Sequence, residues 1–389
     1  MSGYVKARTS DRGPHKLGNR DFPLVWVLQG HRAGDVLQVQ ALADGLGWPW
    51  QGKNLIWRKK WYKRLPYWTP LYGRSCSLRH LRPEAKEAFQ PPWPDVVFSI
   101  GWRSVPIARW IKEQSGARLV HLGRPRAPLK YFDLVLTTPQ YRLPSTKNVV
   151  HLNGPLTTLS PDMLAASANA WEARLAHLPR PWIAVLVGGD TPRLKFPPSA
   201  AAALANASNE RAASCGGSLL VVTSPRTSEH VTKVLRDAIR APAFFHEWTK
   251  HADNPYAAFL ALADQFIVTG DSISMTHEAA LTERPLLVFP LKSKGSLTEQ
   301  ALLALDRKMR CGKTMIAKTY LSLIRNGVIY PPKSAADYFH ALMQNGHASI
   351  LGSSSTLGEI PPMQPENGRA VKAVKALFDP GRKGKANRD

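Results

Sequence analysis

The chain has 389 residues, of which 44% are hydrophobic and 21% are charged, a balance typical of a soluble globular protein with room for two domains. Because 52 Lys+Arg face only 28 Asp+Glu, the formal net charge is +24, which favours anionic partners such as phosphorylated ligands, lipid headgroups or nucleic acid. Three widely spaced cysteines argue against a disulfide framework or a zinc site and are typical of a reducing compartment.

The two ends of the sequence are basic and polar. Residues 1–22 contain no apolar core, so they predict a disordered arm and not a secretory signal, and residues 379–389 predict a mobile basic tail. The longest apolar runs, "PLVWVL" and "WIAVLV", are too short to span a bilayer. We therefore expect a cytoplasmic protein whose membrane contact, if it has one, is peripheral and at the inner face.

Positive charge is concentrated near the N-terminus, where residues 1–90 carry 16 basic and 6 acidic side chains. The run "RKKWYKR" (58–64) interleaves cations with Trp61 and Tyr62. Such a run suits single-stranded nucleic acid or a lipid headgroup layer, and equally a solvated surface whose long side-chain stems pack on the protein.

From Leu24 onward, short apolar stretches alternate with helical ones, which predicts parallel sheets covered by helices. We predict an N-terminal domain over 23–158, with a Trp-, Pro- and Arg-rich insertion at 48–94. Its predicted strands are 24–29, 95–100, 118–122, 133–138 and 148–152, and its predicted helices are 34–46 and 104–115.

A Ser-capped helix within 159–180 is predicted to link this domain to a second one over 181–330. The second domain has predicted strands at 182–189, 218–224, 243–248, 266–271 and 286–291, and helices at 198–214, 227–240, 255–263 and 273–283. Residues 331–378 predict two further helices, at 334–345 and 367–378. The predicted fold class is α/β, with two tandem doubly wound Rossmann-like domains facing a central cleft.

In doubly wound sheets, ligands bind beyond the carboxyl ends of the strands. In the second half, three strands are followed by glycines, hydroxyls and an arginine, which together can bind a diphosphate without a metal. Glu278, in the helix after the third loop, could accept hydrogen bonds from a ribose. Each loop alone fits ordinary helix capping, but the three together favour a nucleotide-diphosphate site. Its predicted residues are Gly188, Gly189, Thr191, Ser224, Arg226, Thr269, Gly270, Ser272, Ser274, Met275 and Glu278.

The first strand is followed by "QGHRAGD", in which Gly30 and Gly34 permit a tight turn into a helix N-terminus. The sequence contains neither GxGxxG nor GxxxxGK[ST], so it predicts neither a nicotinamide site nor a P-loop. His31 could act as a general base oriented by Asp35, or both could be ordinary loop and helix-start residues. Two further loops carry Gly101, at another strand-to-helix turn, and Arg124, which could face an acidic ligand or lie on an ordinary surface.

Several of these motifs carry a family resemblance. "LQGHRAGDVLQVQALADGLG", "HLGRPR", "GGD" and "TGDSISMTHEA" together resemble the elongated-mitochondria (mitochondrial fission) family, a glycosyltransferase-like group with a plant branch and many bacterial members. "ADQFIVTGDSISMTHEAALTERPLLVFPL" is also similar to the donor segment of the peptidoglycan lipid-intermediate N-acetylglucosaminyltransferase. The resemblance covers about residues 24–330. It implies a GT-B fold, with the donor in the C-terminal domain and the acceptor over the N-terminal one.

Carried over by position, the resemblance assigns residues to two motifs. The donor motif is matched by Gly188, Gly189, Thr269, Gly270, Ser272, Ser274 and Glu278, and the N-terminal glycine loop by Gly30, His31, Gly34 and Asp35. One departure is Asp271, because an anion beside a diphosphate is unfavourable unless it is paired or points away.

The leading hypothesis is a glycosyltransferase that moves a sugar from a nucleotide-diphosphate sugar to an envelope glycan or lipid-linked acceptor, with no cofactor and no metal. The basic N-terminal half would hold the enzyme on an anionic membrane surface. The alternative is a non-catalytic adaptor that retains the fold and binds a membrane or a protein partner. Nucleic-acid binding rests on charge alone and is the least favoured hypothesis.

Overall fold

The computed structural model describes residues 21–58, 70–191, 194–250, 253–291, 297–310, 314–353 and 359–379. Most of the predicted N-terminal arm and C-terminal tail, and all but Arg58 of the basic aromatic run, lie outside these ranges.

The described chain forms two six-stranded sheets in which all neighbouring strands are parallel. The first sheet contains β1 (Val25–Gln29), β2 (Trp50–Asn54), β3 (Val96–Ile100), β4 (Arg118–Leu122), β5 (Leu134–Thr137) and β6 (Val149–His151). The second contains β7 (Trp182–Leu186), β8 (Ser218–Val222), β9 (Ala243–His246), β10 (Gln265–Thr269), β11 (Leu286–Phe289) and β12 (Ser349–Ile350).

Helices lie between the strands, and one follows the last strand. They are α1 (Ala33–Leu46), α2 (Pro70–Arg74), α3 (Pro83–Lys86), α4 (Val105–Ser115), α5 (Pro161–Leu175), α6 (Pro198–Cys215), α7 (Glu229–Ala238), α8 (Tyr256–Leu262), α9 (Ile273–Ala280), α10 (Leu297–Arg310), α11 (Met315–Arg325), α12 (Ala335–Gln344) and α13 (Asn367–Lys375).

Each sheet is covered by helices on both faces, because alternate residues of a strand point to opposite sides. In β1, Trp26 packs in the same buried cluster as Ile111 of α4, whereas Val25 packs with Leu42 of α1. The second sheet repeats the arrangement, with one buried cluster that includes α8 and another that includes α6. Two Rossmann-like units in tandem form the GT-B architecture and confirm the predicted fold class.

The strand order places one crevice in each sheet. The orders are β2-β1-β3-β4-β5-β6 and β12-β11-β10-β7-β8-β9. The connections turn to opposite sides of the sheet after β1 and β3 in the first sheet, and after β7 and β10 in the second. At such a switch point the loops diverge and leave space for a ligand beyond the strand ends.

Two strands fall where no strand was predicted. β2 lies inside the predicted insertion 48–94, and its sequence "WQGKN" is polar because it is an edge strand with exposed side chains. β12 spans only two residues and lies within 331–378, for which only helices were predicted.

The C-terminal part of the chain contributes to both cores. Ala370 and Val374 of α13 belong to a buried cluster of the first sheet, as does Ile324 of α11 on the other face. Leu175 of α5, the predicted linker helix, packs in the second core. Helices α11 and α13, which lie outside the predicted N-terminal domain, thus complete the first core. The domain boundaries at 158, 180 and 330 stay predictions.

Candidate functional site

The switch point of the second sheet brings together the loops after β7 and β10. Gly188 follows β7, and its backbone N–H donates to Thr269 Oγ1, at the end of β10, over 2.7 Å. Gly270 N–H donates to the carbonyl of Phe289 over 2.8 Å, which fixes the start of the β10 loop beside β11. The two predicted glycine loops are therefore neighbours and hydrogen-bonded to each other.

The loop after β8 packs on the same place. Thr227 Oγ1 donates to the carbonyl of Gly188 over 2.5 Å, and a Cβ on Gly189 would lie 1.9 Å from the carbonyl oxygen of Arg226. Only glycine fits at 189 without moving the β8 loop. Three of the predicted strand-end loops thus converge in the described structure.

At their meeting point lies the carboxylate of Asp271. Its Oδ2 accepts the backbone N–H of Gly189 over 3.0 Å and lies 2.7 Å from the guanidinium of Arg226. The Asp271 side chain is 0% exposed, and a Cβ on Gly188 would lie 2.2 Å from it. We call the Gly189 amide and the Arg226 guanidinium the anion seat, and in this structure Asp271 fills it.

The second oxygen of this carboxylate differs from the first. Asp271 Oδ1 is buried and has no hydrogen-bond partner among the described residues. A buried oxygen of this kind loses the hydrogen bonds it had in water, so the carboxylate is stabilised through Oδ2 alone. Asp271, the departure from the family motif, is thus paired with Arg226, one of the two conditions under which an anion is acceptable at this position.

The remaining predicted hydroxyls mainly stabilise the loops themselves. Ser272 Oγ caps α9 by accepting from Met275 N–H, and Ser224 Oγ lies 3.1 Å from Thr227 Oγ1. Thr191 Oγ1 accepts from Leu194 N–H over 2.9 Å. Ser274, on the first turn of α9, is half-buried.

Glu278 is bonded inside the protein. One carboxylate oxygen accepts from Thr157 Oγ over 2.9 Å, and the other accepts from the hydroxyl of Tyr256. Burial raises the pKa of Glu278, and the bonds from Tyr256 and Thr157 offset part of that rise. Thr157 belongs to the segment that joins the two sheets, so Glu278 holds that segment on α9.

His277 holds the same segment. Its ring lies against Gly154, where a Cβ would come 2.1 Å from the imidazole, and its Nδ1 lies 3.1 Å from the hydroxyl of Tyr338. The ring is fully buried, and burial, with a smaller contribution from His347, lowers the pKa of His277 to about 4. His277 is therefore neutral near pH 7 and acts as part of the packing.

The switch point of the first sheet gathers the predicted acceptor-side loops. Gly101 follows β3 with a φ of +72°, a conformation that glycine adopts readily, and the carboxylate of Asp35 lies 3.8 Å from where its Cβ would stand. Gly30 and Gly34 face open space, with nothing within 4 Å of an added Cβ. Asp35 and Gly101 thus meet across the crevice.

His31 and Asp35 respond differently to their surroundings. Burial, followed by Arg103 and Arg32, lowers the pKa of His31, which remains exposed. Burial raises the pKa of Asp35, and Arg32 and Lys333 offset part of that rise. Within the described residues no hydrogen bond or ion pair joins His31 to Asp35. The structure therefore provides a neutral, accessible imidazole, but not a preformed His–Asp pair.

Arg124 contacts protein and not open crevice. Its guanidinium donates to the carbonyl of Pro331, and nearby the hydroxyl of Tyr330 donates to the carbonyl of Arg126 over 2.9 Å. These contacts hold the segment after α11 in place, and this segment brings Lys333 near Asp35. Sequence reasoning missed Lys333, Arg103, Thr157 and Tyr256, because each reaches the site only through the tertiary fold.

The geometry can be compared with known proteins. The family model "Mitochondrial fission ELM1" matches residues 33–312, which include the switch point of the second sheet but begin after β1 and His31. The chain belongs to the mitochondrial fission ELM1 family. The resemblance seen in the sequence is thereby confirmed.

Two relatives place this ELM1-family chain among plant and bacterial proteins. It is 26% identical over 228 residues to "Mitochondrial fission protein ELM1" of Arabidopsis thaliana, covering 52% of this chain and 53% of that protein. It is 23% identical over 299 residues to the protein RP120 of Rickettsia prowazekii (strain Madrid E), covering 68% of this chain and 82% of that protein. The chain thus spans about half the length of the plant relative.

Solved structures with similar folds include nucleotide-sugar enzymes. A UDP-GlcNAc 2-epimerase from Methanocaldococcus jannaschii aligns with a TM-score of 0.46 at 10% identity, covering 91% of this chain and 99% of that one. A UDP-glucosyltransferase from Polygonum tinctorium aligns with 0.45 at 12% identity, covering 92% and 98%. MurG of Acinetobacter baumannii aligns with 0.42 at 14% identity, covering 92% and 90%. At these values the similarity is one of general architecture.

The described residues lack two further features. They contain no group of three or more His, Cys, Asp or Glu side chains placed to hold a metal ion. No helix among them is long and apolar enough to cross a membrane.

Proposed function

We propose that this ELM1-family protein is a glycosyltransferase that uses a nucleotide-diphosphate sugar and transfers the sugar to an envelope glycan or lipid-linked acceptor. The observation that carries the proposal is the anion seat, where the Gly189 amide and the Arg226 guanidinium converge on one buried carboxylate. A backbone N–H and a guanidinium at the carboxyl ends of parallel strands are the donors that a diphosphate uses.

In the proposed reaction, the acceptor hydroxyl oxygen attacks the anomeric carbon of the sugar. The bond from that carbon to the diphosphate breaks, and the nucleoside diphosphate leaves with the bonding electrons. Arg226, the Gly189 amide and the N-terminus of α9 stabilise the charge that develops on the leaving group. The diphosphate takes the place of the Asp271 carboxylate at the seat, and these donors require no metal.

The acceptor proton would go to His31. An imidazole must be neutral to accept a proton, and burial with two neighbouring arginines lowers the pKa of His31. Asp35, in the first turn of α1, would stabilise the imidazolium that forms. Gly101 leaves room beside Asp35 for the acceptor, and Arg124 positions the neighbouring segment.

The second candidate is a non-catalytic adaptor that keeps the GT-B fold. Two observations favour it. Asp271 already fills the anion seat, and both oxygens of Glu278, the predicted ribose ligand, accept bonds from protein hydroxyls. Such a protein would present its surface to a membrane or a protein partner.

Under either candidate we propose a cytoplasmic protein held peripherally on the inner face of an anionic membrane, and no nucleic-acid partner. The support is the net charge of +24, which attracts anionic headgroups and which salt screens.

Calorimetry with UDP, GDP and their sugar conjugates tests the proposal. Wild type should bind one nucleotide class, and Arg226→Gln should weaken that binding at least about tenfold, the size of one charge-assisted hydrogen bond. Arg236→Gln is the matched control, since Arg236 is an exposed arginine that pairs with Glu247 away from the seat. Failure of the wild type to bind any nucleotide would refute the donor site.

Two further variants separate the candidates. Glu278→Gln retains acceptors and donors for Thr157 and Tyr256, so a loss of affinity in this variant would indicate ribose contact and not misfolding. His31→Gln should abolish sugar transfer to an acceptor extract while leaving nucleotide affinity unchanged. Nucleotide binding by the wild type without any transfer would favour the adaptor.

A further inference from the structure

The helical hairpin formed by α10 and α11 has an unusual distribution of side chains. In α10, Leu302 and Leu305 are 55% and 53% exposed, whereas Asp306 is 1% exposed. A helix on the surface of a soluble protein normally turns its apolar side chains inward and its charges outward. In the described part of α10, Asp306 is buried, whereas Leu305 beside it and Leu302, one turn earlier on the same side of the helix, are exposed.

Asp306 is held by a dense set of donors. Its oxygens accept from Arg142 over 2.6 Å, from Arg310 over 2.9 Å and from the hydroxyl of Tyr320 over 2.7 Å. Arg142 also forms an ion pair with Asp337 of α12. A buried carboxylate with this many partners holds the C-terminal half of α10 against the rest of the protein, and the two leucines remain exposed beside it.

The outer face of α11 is apolar as well. Met315 is 77% exposed and Ile316 is 64% exposed, and Leu323 follows Ile316 at a spacing that places both on one side of the helix. The buried Ala317 and Ile324 lie about 100° further round the helix. Both helices of the hairpin therefore present apolar side chains to solvent.

The same two helices also carry exposed cations. Arg307 and Lys308 of α10 and Lys318 and Arg325 of α11 are exposed. Beside the hairpin lies a groove of about 690 Å³, lined in part by Arg310, Lys318, Arg325, Ser145, Thr146 and Ser322. No acidic side chain is among the described residues that line it, so the charged side chains that an anion meets in the groove are all cations.

We propose that the α10–α11 hairpin docks on an anionic lipid surface. Leu302, Leu305, Met315 and Ile316 enter the boundary between headgroups and acyl chains, and the groove takes a lipid phosphate. This inference rests on the membrane contact in the proposed function, but it does not depend on sugar transfer. It also places the contact on the C-terminal half and not on the basic N-terminal half.

Charge complementarity selects a lipid surface over other occupants. A protein interface is depleted of lysine at its centre, whereas interfacial amphipathic helices combine outward leucine, isoleucine and methionine with lysine and arginine. Two copies of this hairpin facing each other would also bring their cations together. A bilayer with anionic headgroups satisfies the apolar and the basic side chains at once.

Vesicle co-sedimentation of the full chain tests the proposal, with phosphatidylcholine vesicles that contain or lack phosphatidylglycerol. Wild type should bind only the anionic vesicles. Lys318→Glu/Arg325→Glu should weaken binding at least about twentyfold, from about fivefold per cation. Lys372→Glu/Lys375→Glu on α13 makes the same change of charge on exposed cations elsewhere and should have a much smaller effect.

The apolar part is tested with Met315→Asp/Ile316→Asp, against the control Met163→Asp on α5, where Met163 is 50% exposed. The hairpin variant should lose vesicle binding and the control should retain it. Vesicle binding that is equal in all variants, or absent in wild type, would overturn the proposal. A hairpin variant that changes the oligomeric state instead would assign this surface to a second copy. Nucleotide affinity should be unchanged in the same variants. A failure of the docking proposal can therefore be distinguished from a failure of the proposed donor site.

Discussion

The carboxylate of Asp271 lies 2.7 Å from the guanidinium of Arg226, on the loops after β10 and β8, and is fully buried there. The pair occupies the point at which a GT-B enzyme would need positive charge for a diphosphate. Arg226 itself is 40% exposed, so its side chain pairs with Asp271 and is also accessible to a ligand. A diphosphate would have to compete with Asp271 for this arginine and for the Gly189 amide.

Replacing Asp271 by asparagine should therefore tighten nucleotide binding. The substitution removes a negative charge beside the diphosphate and releases Arg226, and repulsion between close unit charges near a protein surface is several kcal/mol. We expect at least about tenfold tighter binding of UDP to Asp271→Asn by calorimetry, with a loss of folding stability of about 2 kcal/mol from the broken pair.

Asp253→Asn serves as the control, because Asp253 is 71% exposed and pairs with Arg174 outside the seat. Its UDP affinity should equal that of wild type. Weaker binding in Asp271→Asn would show that Asp271 positions Arg226 for the ligand, and equal binding would place the diphosphate elsewhere.

The glycine at 189 should be indispensable for the folded β8 loop. A Cβ there would lie 1.9 Å from the Arg226 carbonyl oxygen and 2.7 Å from the Thr227 nitrogen, both backbone atoms that cannot rotate away. Gly189→Ala should lower the free energy of unfolding by about 3 kcal/mol. Gly34→Ala, with nothing within 4 Å and a helical position, should cause no loss. Urea unfolding of both variants measures the difference, and equal stabilities would contradict the packing.

The sequence predicted the elements whose residues are buried on both faces. The runs around Val25, Val97 and Val185 are apolar throughout, because each strand lies between two layers of helices. β2 was not predicted because an edge strand with exposed side chains needs no continuous run of apolar residues. α10 escaped prediction for a different reason, since its buried side chain is Asp306 and its exposed ones include leucines.

The site was predictable in its location but not in its bonds. Carboxyl ends of parallel strands share one edge, so Gly188, Arg226 and Thr269 could be expected near each other. The pairing of Asp271 with Arg226 and of Glu278 with Thr157 joins residues 45 and 121 positions apart, and no local pattern encodes such pairs. The first pair depends on how the loops of the second sheet pack together, and the second pair depends on how the segment between the two sheets lies on α9.

His277 should make the stability of the fold depend on pH. Burial lowers its pKa to about 4 from the ordinary histidine value of 6.5, so between these values the unfolded chain binds a proton that the folded chain does not. Stability contributed by the neutral ring is complete above about pH 6.5, falls as the pH drops towards 4, and changes no further below that. The whole contribution is about 3 kcal/mol.

His277→Gln should accordingly show a smaller loss of stability between pH 7 and about pH 5 than wild type, whatever its stability at pH 7. His230→Gln on α7, where the side chain is exposed, should retain the wild-type dependence. Urea unfolding at both pH values gives the comparison. An unchanged pH dependence in His277→Gln would mean that the buried ring titrates normally.

Asp306 should hold the α10–α11 hairpin in place. Asp306→Asn keeps the shape of the side chain but removes the charge that Arg142 and Arg310 share, and it turns an amide N–H towards donors. Breaking a buried pair in this way costs about 3 kcal/mol or more. Because Arg142 remains paired with Asp337, the loss should concentrate on the hairpin and appear as faster proteolysis within α10 and α11, while the two sheets stay folded.

Asp237→Asn, an exposed aspartate on α7, should digest like wild type. If the hairpin is the lipid-docking surface, Asp306→Asn should also reduce its binding to anionic vesicles, because α10, which carries the exposed leucines, is no longer held in place although no leucine has been changed. Proteolysis that is accelerated everywhere at once would mean that Asp306 stabilises the whole fold. Accelerated cleavage of the hairpin with full vesicle binding would show that the orientation of α10 does not matter for docking.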